Sequence, residues 1–177
     1  MGTLRLRPLR QDDEEAARAA HRAMRDEFSF LLGDDPALAF GAHLKMLEQQ
    51  RKGEYLPPGI VPATFLVADV DGEIVGRSSI RHELDERLAK IGGHIGYAVL
   101  PEHRRKGYAT EILRQSLIVA SSLGVDRALV TCAADNIGSA KVIEACGGRY
   151  DSTVEFEEGP AEHRYWIEPG RVVGGTA

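Results

Sequence analysis

Between Gly93 and Phe156 the apolar pattern changes period four times. His94 to Leu100 is an apolar, strand-like run ended by Pro101. From Arg105 to Leu123, Ala109, Ile112/Leu113, Leu117 and Ala120 share one helical face, and Gly124 stops the helix. Asp126 to Ala133 reads as a buried strand. Asp135-Asn136 opens a shorter helix that reaches Cys146 and is closed by Gly147-Gly148, and Arg149 to Phe156 returns to strand. A strand joined to the next through a helix usually runs parallel to it.

The first half carries antiparallel signals instead. Thr64 to Val70 and Glu73 to Ile80 flank Asp71-Gly72, the strongest short hairpin signal in the chain. Thr3 to Leu9 predicts a first strand ended by Pro8. Gln11 to Phe28 and Pro36 to Lys52 predict helices, the second stopped by Gly53. Leu56 to Pro62 carries three prolines and is a loop, Arg81 to Gly93 is a charged connection with one helical turn, and His163 to Ile167 is a last strand. These elements predict an α/β (α+β) single domain with a mixed, mostly antiparallel central sheet flanked by helices. The 177 residues suit one domain. We place it over residues 1–170, with 171–177 as a flexible tail.

Lys and Arg number 22 against 27 Asp and Glu, a net charge of −5, which argues against a general nucleic-acid binder. No apolar stretch is long enough for a membrane helix, and Arg5, Arg7 and Arg10 interrupt any leader core. Cys132 and Cys146 have no metal-ligand spacing and read as reduced core residues, so no metal and a cytoplasmic location are expected. Cys132 has no His at a spacing that would make it a nucleophile.

The chemistry concentrates in Gly93 to Thr110, GHIGYAVLPEHRRKGYAT. A strand, a Pro stop and the run His103-Arg104-Arg105-Lys106-Gly107 lead into a helix. A helix start leaves unpaired N–H groups and the positive end of the dipole. Gly107 lets a ligand approach the backbone, and Ala109 keeps the first turn bare. Together these residues describe a cradle for a phosphate or pyrophosphate. Gly96 predicts a bulge or a close approach to the backbone. The chain has neither a P-loop nor a dinucleotide-binding glycine fingerprint, and no carboxylate pair for Mg²⁺ lies beside the cradle, which weakens a phosphotransferase reading.

Arg104-Arg105-Lys106-Gly107-Tyr108-Ala109 matches the R/Q-x-x-G-x-G/A signature of the GNAT superfamily of N-acetyltransferases, and Thr131 to Ser139, TCAADNIGS, resembles that family's next strand and helix start. The resemblance is clear from about Gly72 to Gly148. It implies a GNAT-like sheet with splayed parallel strands, and acetyl-CoA as donor. The pyrophosphate would sit on the amides of Arg105 to Thr110, with Arg104 beside them. The pantetheine arm would pair with Tyr97, Ala98 and Val99, and Asn136 and Ser139 would approach it. The Val99 N–H would polarise the thioester carbonyl.

The acceptor implied is an amine, either a small molecule or a peptide; a homodimer fits family habit. The acceptor pocket would draw on residues 11–52, 81–92 and the strand bearing Arg164, Tyr165 and Trp166, and the acidic balance slightly favours a cationic amine. Catalysis needs a base to free the nitrogen, because a lysine-like amine is almost wholly protonated at neutral pH. His94, on the strand whose start often carries the family's base, and Glu83, in the connection, are the candidates. Many relatives place a Tyr acid where this chain has Ile143; Tyr97, Tyr108, Tyr150 and Tyr165 are substitutes. The competing reading is a non-catalytic acyl-CoA-binding module.

Overall fold

A computed structural model describes residues 2–172. The first strand, β1 (Leu4–Arg7), leads through a 3-10 turn to helix α1 (Glu14–Met24), and a loop leads on to α2 (Phe40–Lys52). β2 (Ala63–Val70) and β3 (Glu73–Arg81) form the hairpin. Asp71 and Gly72 take φ of 54° and 90°, the left-handed pair that a two-residue turn of this kind requires. Gly53, at φ 72°, caps α2 through its N–H to the Gln50 carbonyl. A short helix, α3 (Glu86–Lys90), capped by the Asp85 carboxylate on the Leu88 N–H, precedes β4 (Ile95–Val99).

Then follow α4 (Tyr108–Ser122), β5 (Ala128–Ala133), α5 (Ile137–Ala145), β6 (Arg149–Val154), β7 (Glu162–Ile167) and the short α6 (Pro169–Val172). The expected tail thus begins inside a helical turn, and residues 173–177 lie outside the described residues. Among the described residues no helix is long and apolar enough to cross a membrane, and no group of His, Cys, Asp and Glu could hold a metal.

The strands make two sheets, ordered β1-β2-β3-β4 and β5-β7-β6, and every ladder is antiparallel. The helical connections still leave β5 and β6 pointing the same way, because each is antiparallel to β7, which lies between them. β4 and β5 share no ladder. They meet at one corner, where the His94 N–H donates to the Leu129 carbonyl at 2.7 Å and the Leu129 N–H donates back to His94 Nδ1 at 2.9 Å.

The first sheet is packed on both faces. Met24, Phe30 and Phe40 from the α1–α2 side cover Phe65 and Val67, while Ile112 from α4 covers Ala68 and Val75 on the other. Leu113, Leu117 and Ile143 of α4 and α5 pack on Val130 and Ile167 of the second sheet. All of these side chains are close to fully buried, and each larger than alanine contributes about 1.5–3 kcal/mol relative to exposure.

Of the two readings of Gly96, a bulge or a close approach to the backbone, the bulge is absent: the β3–β4 register runs unbroken from Ile95 to Val99. The irregularity falls on the β2–β3 pair between Ala68 and Asp69. Gly96 instead leaves an open notch. A Cβ there would meet only Arg81 Nη1, 4.0 Å away.

Candidate functional site

The corner at His94 and Leu129 lets β4 and β5 diverge, and the opening has chemical consequences. The Leu100 N–H donates to the Val75 carbonyl, so even-numbered positions near this end of β4 turn their backbone groups toward β3. Alternation turns those of Ile95, Tyr97 and Val99 the other way, toward the gap. An extended chain entering the gap would find these groups spaced as a neighbouring strand would. The Val99 N–H points into the same space, while the Val99 carbonyl accepts from Arg104 Nε at 3.2 Å.

At the end of the gap lies the start of α4. Arg105 sits at φ 63° and Gly107 at φ 82°, so the loop makes two left-handed steps just before the helix. For Arg105, which has a Cβ, this conformation costs of order 1 kcal/mol and turns successive amides to one side. No side chain caps the helix, and its first internal bond is Glu111 N–H to the Gly107 carbonyl. The amides of Tyr108, Ala109 and Thr110 therefore have no acceptor within the helix. A Cβ at Gly107 would meet nothing within 4 Å, so the ground above the helix end is open.

A cleft of about 520 Å³ joins these features. The structure brings Tyr97, Ala98, Val99, Arg104, Arg105, Gly107, Tyr108, Ala109, Thr110, Asn136 and Ser139 to its walls. Lys106 is not among them; its side chain is exposed. Met24, Glu27 and Phe28 close the far side, which the sequence did not single out because nothing in a helix–loop segment marks which end will face a distant strand. Arg104 spans the mouth, its Nη2 2.7 Å from Glu27 Oε2. Asn136 caps α5 by accepting from the Ser139 N–H. The Tyr97 hydroxyl lies 2.9 Å from Ser139 Oγ, and burial pushes the phenol well above its ordinary pKa. Ile143, on α5, is wholly buried in the core.

The two candidate bases stand elsewhere. His94 Nδ1 is committed as the acceptor of the Leu129 N–H, so the lone pair a base would use is occupied. Burial and the Arg81 charge hold its pKa below the ordinary value. Glu83 is exposed in the connection and does not line the cleft. Cys132 is buried with its thiol pushed up to about 11, so it stays protonated at neutral pH.

A different carboxylate lies on the second sheet, outside the cleft's lining. β5 and β7 pair so that Cys132, Val130, Tyr165 and Ile167 face the helices, which turns Thr131, Glu162, Arg164 and Trp166 to the opposite face. Glu162 is half-buried there. Desolvation raises its pKa, against the Thr131 hydroxyl hydrogen bond, which lowers it. Thr131 Oγ1 also accepts the Gly92 N–H at 3.0 Å, and the Gly92 and Gly93 carbonyls receive Arg81 Nη1 at 3.0 and 2.9 Å. The period-2 pattern of Glu162, Arg164 and Trp166 against His163, Tyr165 and Ile167 could have marked Glu162 as facing away from the core.

Comparison with known proteins agrees with this fold. Among solved structures, the chain resembles RimJ of Mycobacterium smegmatis in complex with CoA-disulfide, at 20% identity over 98% of this chain and 89% of that one, with a TM-score of 0.72. It resembles yncA from Salmonella typhimurium, solved with its cofactor acetyl-CoA, at 15% identity over 94% of each chain (TM-score 0.64). It also resembles RimL, a ribosomal L7/L12 alpha-N-protein acetyltransferase in complex with coenzyme A, at 17% identity over 94% of each (TM-score 0.67). At such identities the likeness concerns the fold. No curated protein sequence matches significantly. The family model for the acetyltransferase (GNAT) domain matches residues 3–149, most of the chain, and the protein belongs to the GNAT acetyltransferase family.

Proposed function

We propose that the protein transfers an acetyl group from acetyl-CoA directly to a primary amine. The observation that carries this reading is the unpaired edge of β4 leading to an uncapped, glycine-preceded helix start. The free amides of residues 108–110 and the dipole of α4 suit a diphosphate, and the exposed groups of Tyr97 and Val99 suit the amide-bearing pantetheine arm. That proteins of similar fold are solved with acetyl-CoA or coenzyme A supports the choice of donor.

In the reaction the amine nitrogen attacks the thioester carbonyl, and the carbonyl oxygen takes up negative charge beside the Val99 N–H. Collapse re-forms the carbonyl, breaks the carbon–sulfur bond and releases the thiolate. The proton lost by the nitrogen passes to a base. We assign that role to Glu162, a half-buried carboxylate outside the cleft's lining, on the face of the second sheet turned away from α4 and α5. Its raised pKa brings it nearer to neutrality, which strengthens it as a base. Tyr97 supports the leaving sulfur. Its phenol is held above its ordinary pKa, whereas a thiol ionises near 8.5, so full proton transfer would run uphill. Tyr97 therefore donates a hydrogen bond, and the thiolate leaves as the anion.

Calorimetric titration with coenzyme A, followed by a thiol-release assay over a panel of amines, tests the proposal. Binding with turnover on at least one amine is expected. An absence of heat overturns the cofactor assignment. The buried Ile143 in place of a family Tyr favours one second reading, a non-catalytic acyl-CoA-binding module. Tight binding with no release on any amine would support it.

A further inference from the structure

Among the described residues, two arginines on the α2-facing side of β3 form no salt bridge with a carboxylate. Arg77 is 3% exposed. It donates from Nη2 to the Ser29 carbonyl at 2.8 Å and weakly from Nη1 to the Gly96 carbonyl at 3.4 Å, and its Nε has no partner. Its guanidinium stacks on Phe28 at 4.2 Å. Burial and the Arg81 charge push its pKa down to about 9. Arg81, four residues on and on the same face, uses only Nη1, for the Gly92 and Gly93 carbonyls. Its Nε and Nη2 bond to no described residue.

An uncompensated buried charge is costly, and two that repel each other are more so. Between them stand Ser79 and, paired with it across the ladder, the side-chain-free Gly96. Ser79 and Arg81 open on a cavity of about 420 Å³. Its remaining charged lining is Arg87, paired loosely with Asp85 at 3.9 Å, and Glu54. Asp85 also acts on Arg81 through its charge. Leu32, Met46 and Leu88 make much of the wall apolar.

We infer that this notch binds the carboxylate of the acceptor, which is an amino acid with an apolar side chain. Arg81 and Ser79 supply donors to the carboxylate, and Arg77 adds positive potential from behind. The acceptor role rests on the chemistry proposed above. Gly92 is bonded through its carbonyl to Arg81 and through its amide to Thr131, the residue that hydrogen-bonds Glu162. Gly92 thus links the Arg81 guanidinium to the Thr131–Glu162 pair through successive hydrogen bonds. The overall negative charge, which slightly favours a cationic acceptor, is outweighed here by local arginines.

The test is equilibrium binding of N-acetyl-L-leucine and of its primary amide to the full chain, with and without coenzyme A. The acid is expected to bind at least about tenfold more tightly than the amide, the scale of a charge-assisted hydrogen bond. Arg81→Gln is expected to abolish that preference. Because Arg81 also holds two carbonyls, Ser79→Ala serves as a second variant that leaves them bonded, and it should weaken the acid several-fold and the amide hardly at all. Equal binding of acid and amide, binding of neither, or a preference unchanged in Ser79→Ala overturns the inference. Coenzyme A binding is measured separately. A carboxylate preference without coenzyme A heat would sink the transferase reading and leave the anion site standing. Coenzyme A heat without that preference would do the reverse.

Discussion

Glu162 is the residue on which the proposed chemistry turns, and its environment sets the pH behaviour. Its folded pKa is raised, so it is the ionised base only above that value. Activity should therefore climb through an acid limb displaced upward from an ordinary carboxylate. Glu162→Gln keeps the shape, removes the limb and lowers kcat by about 10²–10⁴-fold in pH-rate profiles. A structural carboxylate would behave differently. A raised acid pKa means that the fold binds the proton more tightly than the unfolded chain, so stability falls as pH rises. Glu162→Gln should then leave the melting temperature at pH 8 unchanged or higher, even as turnover collapses. Gly107 offers a second probe. Its φ of 82° puts a Cβ in a left-handed conformation at a cost of about 1 kcal/mol, and Gly107→Val also fills the open ground above the α4 amides. Calorimetry on that variant is expected to show coenzyme A affinity reduced at least tenfold, with far-UV circular dichroism unchanged.

At the level of elements, the corner between β4 and β5 rests on His94. The Leu129 N–H needs an acceptor, and the imidazole provides one only while Nδ1 is unprotonated. The folded pKa of His94 is depressed, so this contribution is present above the unfolded value near 6.5 and is lost as pH falls through the folded one. Urea midpoints measured from pH 8 down to 5 should decline in the native chain. His94→Ala should cost about 1–3 kcal/mol at pH 8, the penalty for a buried N–H without a partner, and should blunt the decline.

This is also where sequence reading reached its limit. The Asp71-Gly72 hairpin, the Gly53 cap and the Gly107 helix start were legible because each is decided by neighbours within four residues. His94 was read as a base on the strength of its strand position. Its partner Leu129 is 35 residues away, and no local pattern announces the pairing. The parallel order implied by the strand–helix–strand repeats was half legible. The directions of β5 and β6 followed the second repeat, but β7 enters between them and takes both sets of backbone bonds. Gly96 was legible as a special position but not as an empty one, since only the β3 register shows that arginines flank it.

For the whole molecule, two sheets joined at one corner make stability depend on what lies between them. A ligand bound only by the folded state stabilises it by mass action, about 2.7 kcal/mol at a hundredfold excess over its dissociation constant. For a chain of this length that is roughly 5–10 °C in melting temperature. Differential scanning calorimetry with and without coenzyme A should record a rise of that size. No shift at saturating ligand would mean that the gap is not the binding site. The Arg104–Glu27 pair across the mouth is exposed on both sides and adds at most about 1 kcal/mol, so Glu27→Gln should lower the unliganded melting temperature by no more than about 4 °C.

The open flank of β4 carries a liability as well as a site. Unsatisfied strand borders are templates for stray β-pairing, and folded proteins normally cover or blunt them. On the proposed reading the blunting falls to the bound coenzyme, acting as a removable eighth strand. A chain starved of it would present a sticky seam to its neighbours, so solubility and shelf life on the bench should track the coenzyme concentration in the buffer.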